Sequence, residues 1–375
     1  MWIVAGLLGL ASVLSGSLPW HDAVDVLALI WPVLLFLIGV TVLAELADGA
    51  QVFDVAASRA ARCGRGSTAG LFLLLCLLGT VTTILLSLDT TAVLLTPVVL
   101  AMCQQLKLPP LPFTLAVVWL ANTASLLLPV SNLTNLLAID RLDMSTVEYA
   151  SRMWLPATAA VLVTITYLFL IHRRQLRGRY AITGPTRPSD PVLCVICGAL
   201  CLAIGPVVVA GATPWKVAVP AAGIAALATA WRRRNWLSVR LVPWSLTILT
   251  VGLFLVVSAA GKHGLDELLG HALGSSGTIR AAGVAAGTSN VANNLPTYLA
   301  LERAVPAGHQ DQLLGVLVGV NVGPLVLLWG SLATLLWRER CRARGVRISA
   351  TRFALTGLAG MPLVLLASAA CLRWT

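Results

Sequence analysis

Charge is what this sequence has least of: 11% of its 375 residues are Asp, Glu, Lys or Arg, about half the share of an ordinary soluble domain. With 58% hydrophobic residues and a mean hydropathy of +0.88, that scarcity excludes a soluble globular fold. The period-2 alternation of a membrane β-barrel is also missing. No nucleophile–base pair, metal-ligand spacing or phosphate-binding loop is present, so no enzyme chemistry is legible. The eight cysteines form no disulfide framework, because most lie inside apolar stretches. Cys194, Cys197 and Cys201 share one helical face at i, i+3 and i+7, and are read as small packing residues rather than a soft-metal site. Residues 1–18 lack the basic n-region of a signal peptide and lead at once into another apolar run, so a retained membrane helix is expected there.

What the sequence does have is a succession of apolar runs, such as 33–43, 157–171 and 246–260. Crossing the hydrocarbon layer takes about 20 mostly apolar residues. Backbone groups in lipid must be paired internally, so an all-α polytopic membrane protein follows. The net charge of +11 is gathered in short clusters between the runs: Arg59, Arg62 and Arg65, then 173–187, 232–240 and 338–352. Such clusters mark cytoplasmic loops. None is interleaved with aromatics, so the expected surrounding is the bilayer and no nucleic-acid partner is expected.

The chain also repeats itself. Ser87-Leu88-Asp89-Thr90-Thr91 leading into Leu95-Thr96-Pro97 is echoed by Asn290-Val291-Ala292-Asn293-Asn294 leading into Leu295-Pro296-Thr297. Residues 127–134, LLPVSNLT, are echoed by 327–334, LLWGSLAT. Tyr149-Ala150 with Pro156 is echoed by Phe353-Ala354 with Pro362, and all three pairs fall in order at offsets of 200 to 206.

Placing the basic clusters inside orients each half. With a cytoplasmic N-terminus in an inner membrane, helices 1–18 and 24–44 cross first, and an interfacial arm follows at 46–66. A hairpin at 69–105 enters from the cytoplasm, a broken helix crosses at 111–139, and 153–171 returns to a basic linker, 172–190. Helices 191–210, 215–231 and 243–260, an arm at 262–276, an outer hairpin at 277–304, a broken helix at 310–337 and a last helix at 358–373 complete the chain. This puts 19 of the 26 Lys and Arg residues inside and leaves 1–171 and 191–375 oppositely oriented. Inverted repeats with hairpins and broken helices are the plan of a secondary transporter. Glu45 and Asp48 are expected to be solvated, and Tyr149 and Phe353 to anchor at the interface.

A polar break inside a membrane helix costs free energy unless protein or a water-filled cavity satisfies the freed backbone groups. Half-helix ends at such a gap suit an anion, a cation or a neutral polar solute. The residues at the four breaks are Asp89, Thr90, Thr91, Ser131, Asn132, Thr134, Asn135, Asn290, Asn293, Asn294, Asn321, Ser331 and Thr334, the candidate substrate or ion site. All but one are neutral hydroxyls and amides. The exception, Asp89, is a candidate proton or sodium carrier, because an ionisable group at this depth is costly. No cofactor is expected beyond a coupling H+ or Na+.

These residues resemble the ion-transporter superfamily of arsenite/antimonite efflux permeases, citrate-type transporters and sodium-coupled dicarboxylate symporters, and the arsenite permeases most. The resemblance rests on Asp89 to Pro97 with Ala101-Met102, on Thr123-Ala124-Ser125 through Asn135, and on Glu148-Tyr149-Ala150. In the second half it rests on 293–297, Gly323-Pro324 and 330–337. It implies a scaffold, a moving domain that carries both hairpins, an elevator-type cycle, a homodimer and, as a further partner, a soluble ATPase subunit. The chain departs from the permease pattern at Leu88, where an Asn is usual, at Asn122 and Asn321, where acidic residues are usual, and at Leu325, where a lysine is usual. The resemblance to longer relatives also leads one to expect that one of their N-terminal helices has no counterpart here. These departures leave Asp89 as the main intramembrane carboxylate.

The leading expectation is therefore a proton-driven exporter of a small neutral or weakly charged solute such as arsenite. Within the same fold the rivals are a carboxylate or divalent-anion symporter and a sodium–proton antiporter. A non-transporting membrane scaffold or receptor is the rival of another class.

Overall fold

The computed structural model describes residues 2–375 except 86, 182–185, 211, 233–237, 239–240, 275–276 and 307. Parts of the expected basic linker and second arm, and most of the 232–240 cluster, thus lie outside the described residues. The described chain is helical, and its one β-type contact is an isolated bridge between Ser67 and Arg179. In the first half the helices are α1 (Trp2–Leu14), α2 (Trp20–Gly49), α3 (Val52–Cys63), α4 (Thr68–Leu85), α5 (Leu88–Gln105), α6 (Pro110–Thr123), α7 (Leu133–Leu142) and α8 (Thr146–Leu176). In the second they are α9 (Pro191–Val209), α10 (Pro214–Arg232), α11 (Trp244–Ala260), α12 (Asp266–Leu273), α13 (Thr278–Ala292), α14 (Asn294–Ala304), α15 (Gln310–Val322), α16 (Leu332–Ala343) and α17 (Ala350–Cys371).

Seven segments among the described residues are long and apolar enough to cross a membrane; they contain α2, α4, α5, α8, α9, α11 and α17. Large apolar side chains on their outer faces are exposed, for example Leu77, Leu162, Leu202 and Leu358. A belt of that kind suits lipid rather than water. By contrast α6 is buried throughout Pro112–Thr123 and α15 throughout Gln312–Val322. A helix buried all round sits at the centre of its bundle, and these two are the first halves of the broken helices. Around them α4 packs on α5 and α6, α13 on α14 and α15, α5 on α16, and α8 on α17. Beside this group α1 packs along α11 and α2 along α10.

Several boundaries differ from the expected ones. α8 starts at Thr146 because Ser145 and Glu148 form a reciprocal capping box: Ser145 N donates to Glu148 Oε2 at 2.7 Å and Glu148 N to Ser145 Oγ at 3.2 Å. α2 runs on to Gly49, so the arm begins only at Val52. The first break opens earlier than 131–135, in 3-10 turns at Ala124–Leu126 and Pro129–Ser131. The second spans 323–331, which leaves Asn321 inside the last turn of α15.

Two further readings are corrected. Tyr149 and Phe353 are fully buried rather than interfacial, and Tyr149 Oη donates to Leu126 O at 3.1 Å, which pins the first break. Glu45 and Asp48 are not simply solvated: Glu45 pairs with Arg340 at 2.7 Å, and Asp48 pairs with Arg344. Both arginines come from about 300 positions further along, beyond the reach of local pattern.

α13 and α15 approach closely along Gly315, Gly319 and Gly323, spaced four apart in the small-xxx-small pattern. A methyl group on Gly319 would run into the Ala282 carbonyl and the Ala285 side chain. Gly319→Ala is expected to destabilise this pair by about 1–3 kcal/mol through overpacking. A thermal-unfolding scan in detergent should show a lower midpoint, and an unchanged midpoint would mean that the helices part freely.

Candidate functional site

Four helices begin at the interruptions, each with a polar cap. Ser87 caps α5, accepting from Thr90 N at 3.1 Å, and Asn132 caps α7, its Oδ1 accepting from Thr134 N at 3.2 Å. Ser331 caps α16, accepting from Thr334 N at 3.1 Å, and Asn293 occupies the cap position of α14 with φ of +76°. In membrane surroundings the Ser87, Asn132 and Ser331 caps meet backbone donors that water cannot reach, whereas the Asn293 side chain makes no cap bond.

All four starts meet at one cavity of ≈ 40 Å³. Leu88 and Asp89 of α5, Asn132 and Leu133, Asn293 and Asn294, and Leu332 of α16 line it. The wall contributed by α2 and α11 is Val33 with Thr250, Leu253 and Phe254. The positive ends of four helix dipoles therefore face a single small space, in which Asp89 is the one charged lining residue. Asp89 Oδ1 is shielded from solvent and has no hydrogen-bond partner among the described residues.

Of the thirteen candidate residues, Asp89, Asn132, Asn293 and Asn294 line this cavity. The others hold it in shape. Asn321 is a hub, its Oδ1 accepting from Asn132 Nδ2 at 2.6 Å and from Ser125 Oγ at 2.7 Å. Its Nδ2 donates to Asn135 Oδ1 at 3.3 Å, and Asn135 Nδ2 donates to Ser125 O at 2.6 Å. The side chains of the two broken helices are thus tied together across nearly two hundred residues of sequence. Asn290 Nδ2 donates to Gly323 O at 2.7 Å, while Asn290 Oδ1 accepts from Leu327 N at 2.9 Å. Asn293 Nδ2 donates to Trp329 O at 2.9 Å and Asn294 N to Gly330 O at 2.8 Å. The α13–α14 turn is thereby fastened to the second break.

The first turn is held by hydroxyls. Ser131 Oγ donates to Ile84 O at 2.8 Å, Thr91 Oγ1 donates to Thr82 Oγ1 at 3.2 Å, and Ser87 Oγ donates to Thr90 Oγ1 at 2.9 Å. Thr334 shares a hydrogen bond with Ser331 at 2.9 Å, and the buried Thr134 hydroxyl has no partner among the described residues. The α2 and α11 wall was not among the candidates. Three of its four residues are apolar and vanish into hydrophobic runs, and the only available signal was Thr250, a lone hydroxyl in the 248–257 stretch.

A multi-pass helical membrane protein whose interrupted helices bring a carboxylate and several amides to a mostly apolar cavity belongs to the class of membrane transporters. A family model described as "Citrate transporter" matches residues 1–334, and the chain belongs to that family. It is 28% identical over 372 residues to an "Arsenical pump membrane protein" of Escherichia coli, which covers 92% of this chain and 86% of the relative. The protein of the same name from Yersinia enterocolitica is 28% identical over 375 residues, covering 92% and 87%. A "46 kDa membrane protein" of Mycobacterium leprae is 25% identical over 366 residues, covering 88% and 82%.

Proposed function

We propose that this protein exports a small, neutral or weakly charged trihydroxide of the arsenite kind, driven by the proton gradient. The observation that carries the reading is the meeting of four helix N-termini and one carboxylate at a cavity of ≈ 40 Å³. Space of that size holds roughly three waters, which suits a solute with a few heavy atoms better than a tricarboxylate. A trihydroxide donates to Asp89 and to amide oxygens and accepts from amide N–H groups, so it needs no fixed counter-charge. Asp89, as the one charged group lining the site, is then the carrier of the coupling proton.

The transport cycle belongs to the same proposal. Exchanging α1 with α10 and α2 with α11 turns the α1–α11 contact into the α10–α2 contact. This supports two inverted repeats, at 1–171 and 191–375, joined through the basic linker. On this reading α4–α5 and α13–α14 are re-entrant hairpins that move with the broken helices against a scaffold of α1, α2, α9, α10 and α11. The N-terminus is cytoplasmic and the protein acts as a homodimer.

A second reading has an observation of its own. Four helix N-termini attract anions, which favours a carboxylate or divalent-anion transporter coupled to sodium or protons. Arsenite accumulation in an arsenite-sensitive bacterial host separates the two. Expression of this chain is expected to lower intracellular arsenite in a manner abolished by a protonophore and indifferent to sodium. Unchanged arsenite together with sodium-dependent citrate uptake would replace the first reading by the second.

A further inference from the structure

The α11 wall of the cavity carries a second polar group with nothing to bond among the described residues. Thr250 is 6% exposed, on a helix otherwise apolar from Ile248 to Val257, and it lines the cavity. Threonines in such helices usually return their hydroxyl to the carbonyl four residues back. Thr247 does so to Pro243 O at 3.1 Å, Thr229 to Ala225 O at 2.8 Å, and Thr96 to Ala92 O at 2.6 Å. Thr250 makes no such bond, and among the described residues its hydroxyl has no hydrogen-bond partner. A hydroxyl on a shielded residue of an apolar helix, released from the backbone carbonyl, contributes nothing to the fold there and is free to bond whatever enters the cavity. One turn further on, Phe254, 5% exposed, closes the same wall.

We infer that α11 takes part in choosing the solute: Thr250 bonds it directly and Phe254 sets its size limit. Two groups with no hydrogen-bond partner among the described residues, Asp89 Oδ1 and the Thr250 hydroxyl, belong to residues that line one small cavity. A solute with several hydroxyls satisfies both at once, donating to the carboxylate and exchanging a hydrogen bond with the threonine. Because the aromatic ring leaves so little space, a solute in which one hydroxyl is replaced by a bulky group is rejected. This inference rests on the trihydroxide reading for the identity of the solute, but not for the contact itself.

The test uses the full protein in proteoliposomes, with arsenite as the probe. Thr250→Val is expected to raise the KM for arsenite about three- to tenfold, the loss of one neutral hydrogen bond, with kcat within about twofold. Thr250→Ser is expected to keep the wild-type KM. A purely structural threonine would instead lower the yield of folded protein or kcat and leave KM alone. Phenylarsonous acid, which carries a ring in place of one hydroxyl, is expected to compete with arsenite in Phe254→Ala but not in wild type.

A second arm does not depend on arsenite. In a background with the native cysteines replaced, Thr250→Cys is expected to react with a small cationic methanethiosulfonate, whereas Val257→Cys, further along the same helix, is not. If wild type moves no arsenite, the trihydroxide reading fails and the labelling alone decides whether α11 faces the aqueous site. An unreactive Thr250→Cys, or transport by Thr250→Val with an unchanged KM, overturns the inference.

Discussion

Asp89→Asn is expected to abolish proton-driven accumulation while leaving a folded protein in the membrane. The side chain makes no ion pair among the described residues, and its Oδ1 has no hydrogen-bond partner, so an isosteric amide breaks no bond of the fold at that atom. What folding loses is the favourable placement of a negative charge in the first turn of α5, worth about 0.3–1 kcal/mol. What transport loses is larger. A hydrogen bond between solute and a charged acceptor contributes roughly 1.5–3 kcal/mol, equivalent to a ~10- to 150-fold loss in affinity. An amide also cannot take up and release a proton at any physiological pH, which removes the coupling as well as the contact. The check is arsenite uptake into everted vesicles energised by a pH gradient, beside thermal unfolding of the same preparation. Gradient-driven uptake by Asp89→Asn within a few-fold of wild type would exclude Asp89 as the proton carrier.

The sequence made the polar interruptions visible because lipid punishes them: asparagines and serines in the middle of apolar runs have no other reason to be there. The positions of Asp89, Asn132, Asn293 and Asn294 on the cavity could be guessed on that ground. Their partners could not. Asn321 reaches Asn132 and Asn135 across about 190 residues, and nothing local says which amide faces the cavity and which one braces it. The α11 wall was hidden for the opposite reason, since Leu253 and Phe254 look like any lipid-facing pair until a cavity is found beside them. Tyr149 and Phe353 show where a propensity rule misleads. Aromatic residues near helix starts usually mark the membrane interface, but here both are used as packing, with no exposure to speak of. The row of Gly315, Gly319 and Gly323 was not singled out from sequence, and the structure shows it to be where α15 packs on α13.

Breaking the Glu45–Arg340 pair is expected to be the most damaging change away from the cavity. Arg340 lies in the last turn of α16 with its side chain 5% exposed, and it meets Glu45 at 2.7 Å, near the end of α2. Beside it Arg344 is held by Asp48, and more loosely by Asp54 of α3 at 3.4 Å. Glu45 and Asp48 are both in the last turns of α2, where a helix's own dipole disfavours negative charge, so the arginines offset a penalty as well as forming pairs. Glu45→Ala leaves the guanidinium buried without a counter-charge, and removing one partner of a buried pair costs ~3–5 kcal/mol. Because Glu45 itself is 31% exposed, the lower end of that range is the expected loss, seen as a fall in the thermal midpoint that salt does not reproduce. Replacing both residues by apolar ones of similar size, Glu45→Leu with Arg340→Met, is expected to recover most of the stability, since a buried pair and its hydrophobic replacement often balance. Transport separates the two variants. If α16 slides against α2 during the cycle, as the elevator reading requires, the pair favours the conformation described here, and the apolar double variant should be stable yet altered in kcat. A double variant restored in both stability and kcat would mean that α16 and α2 do not move against each other, and the elevator reading would fall with it.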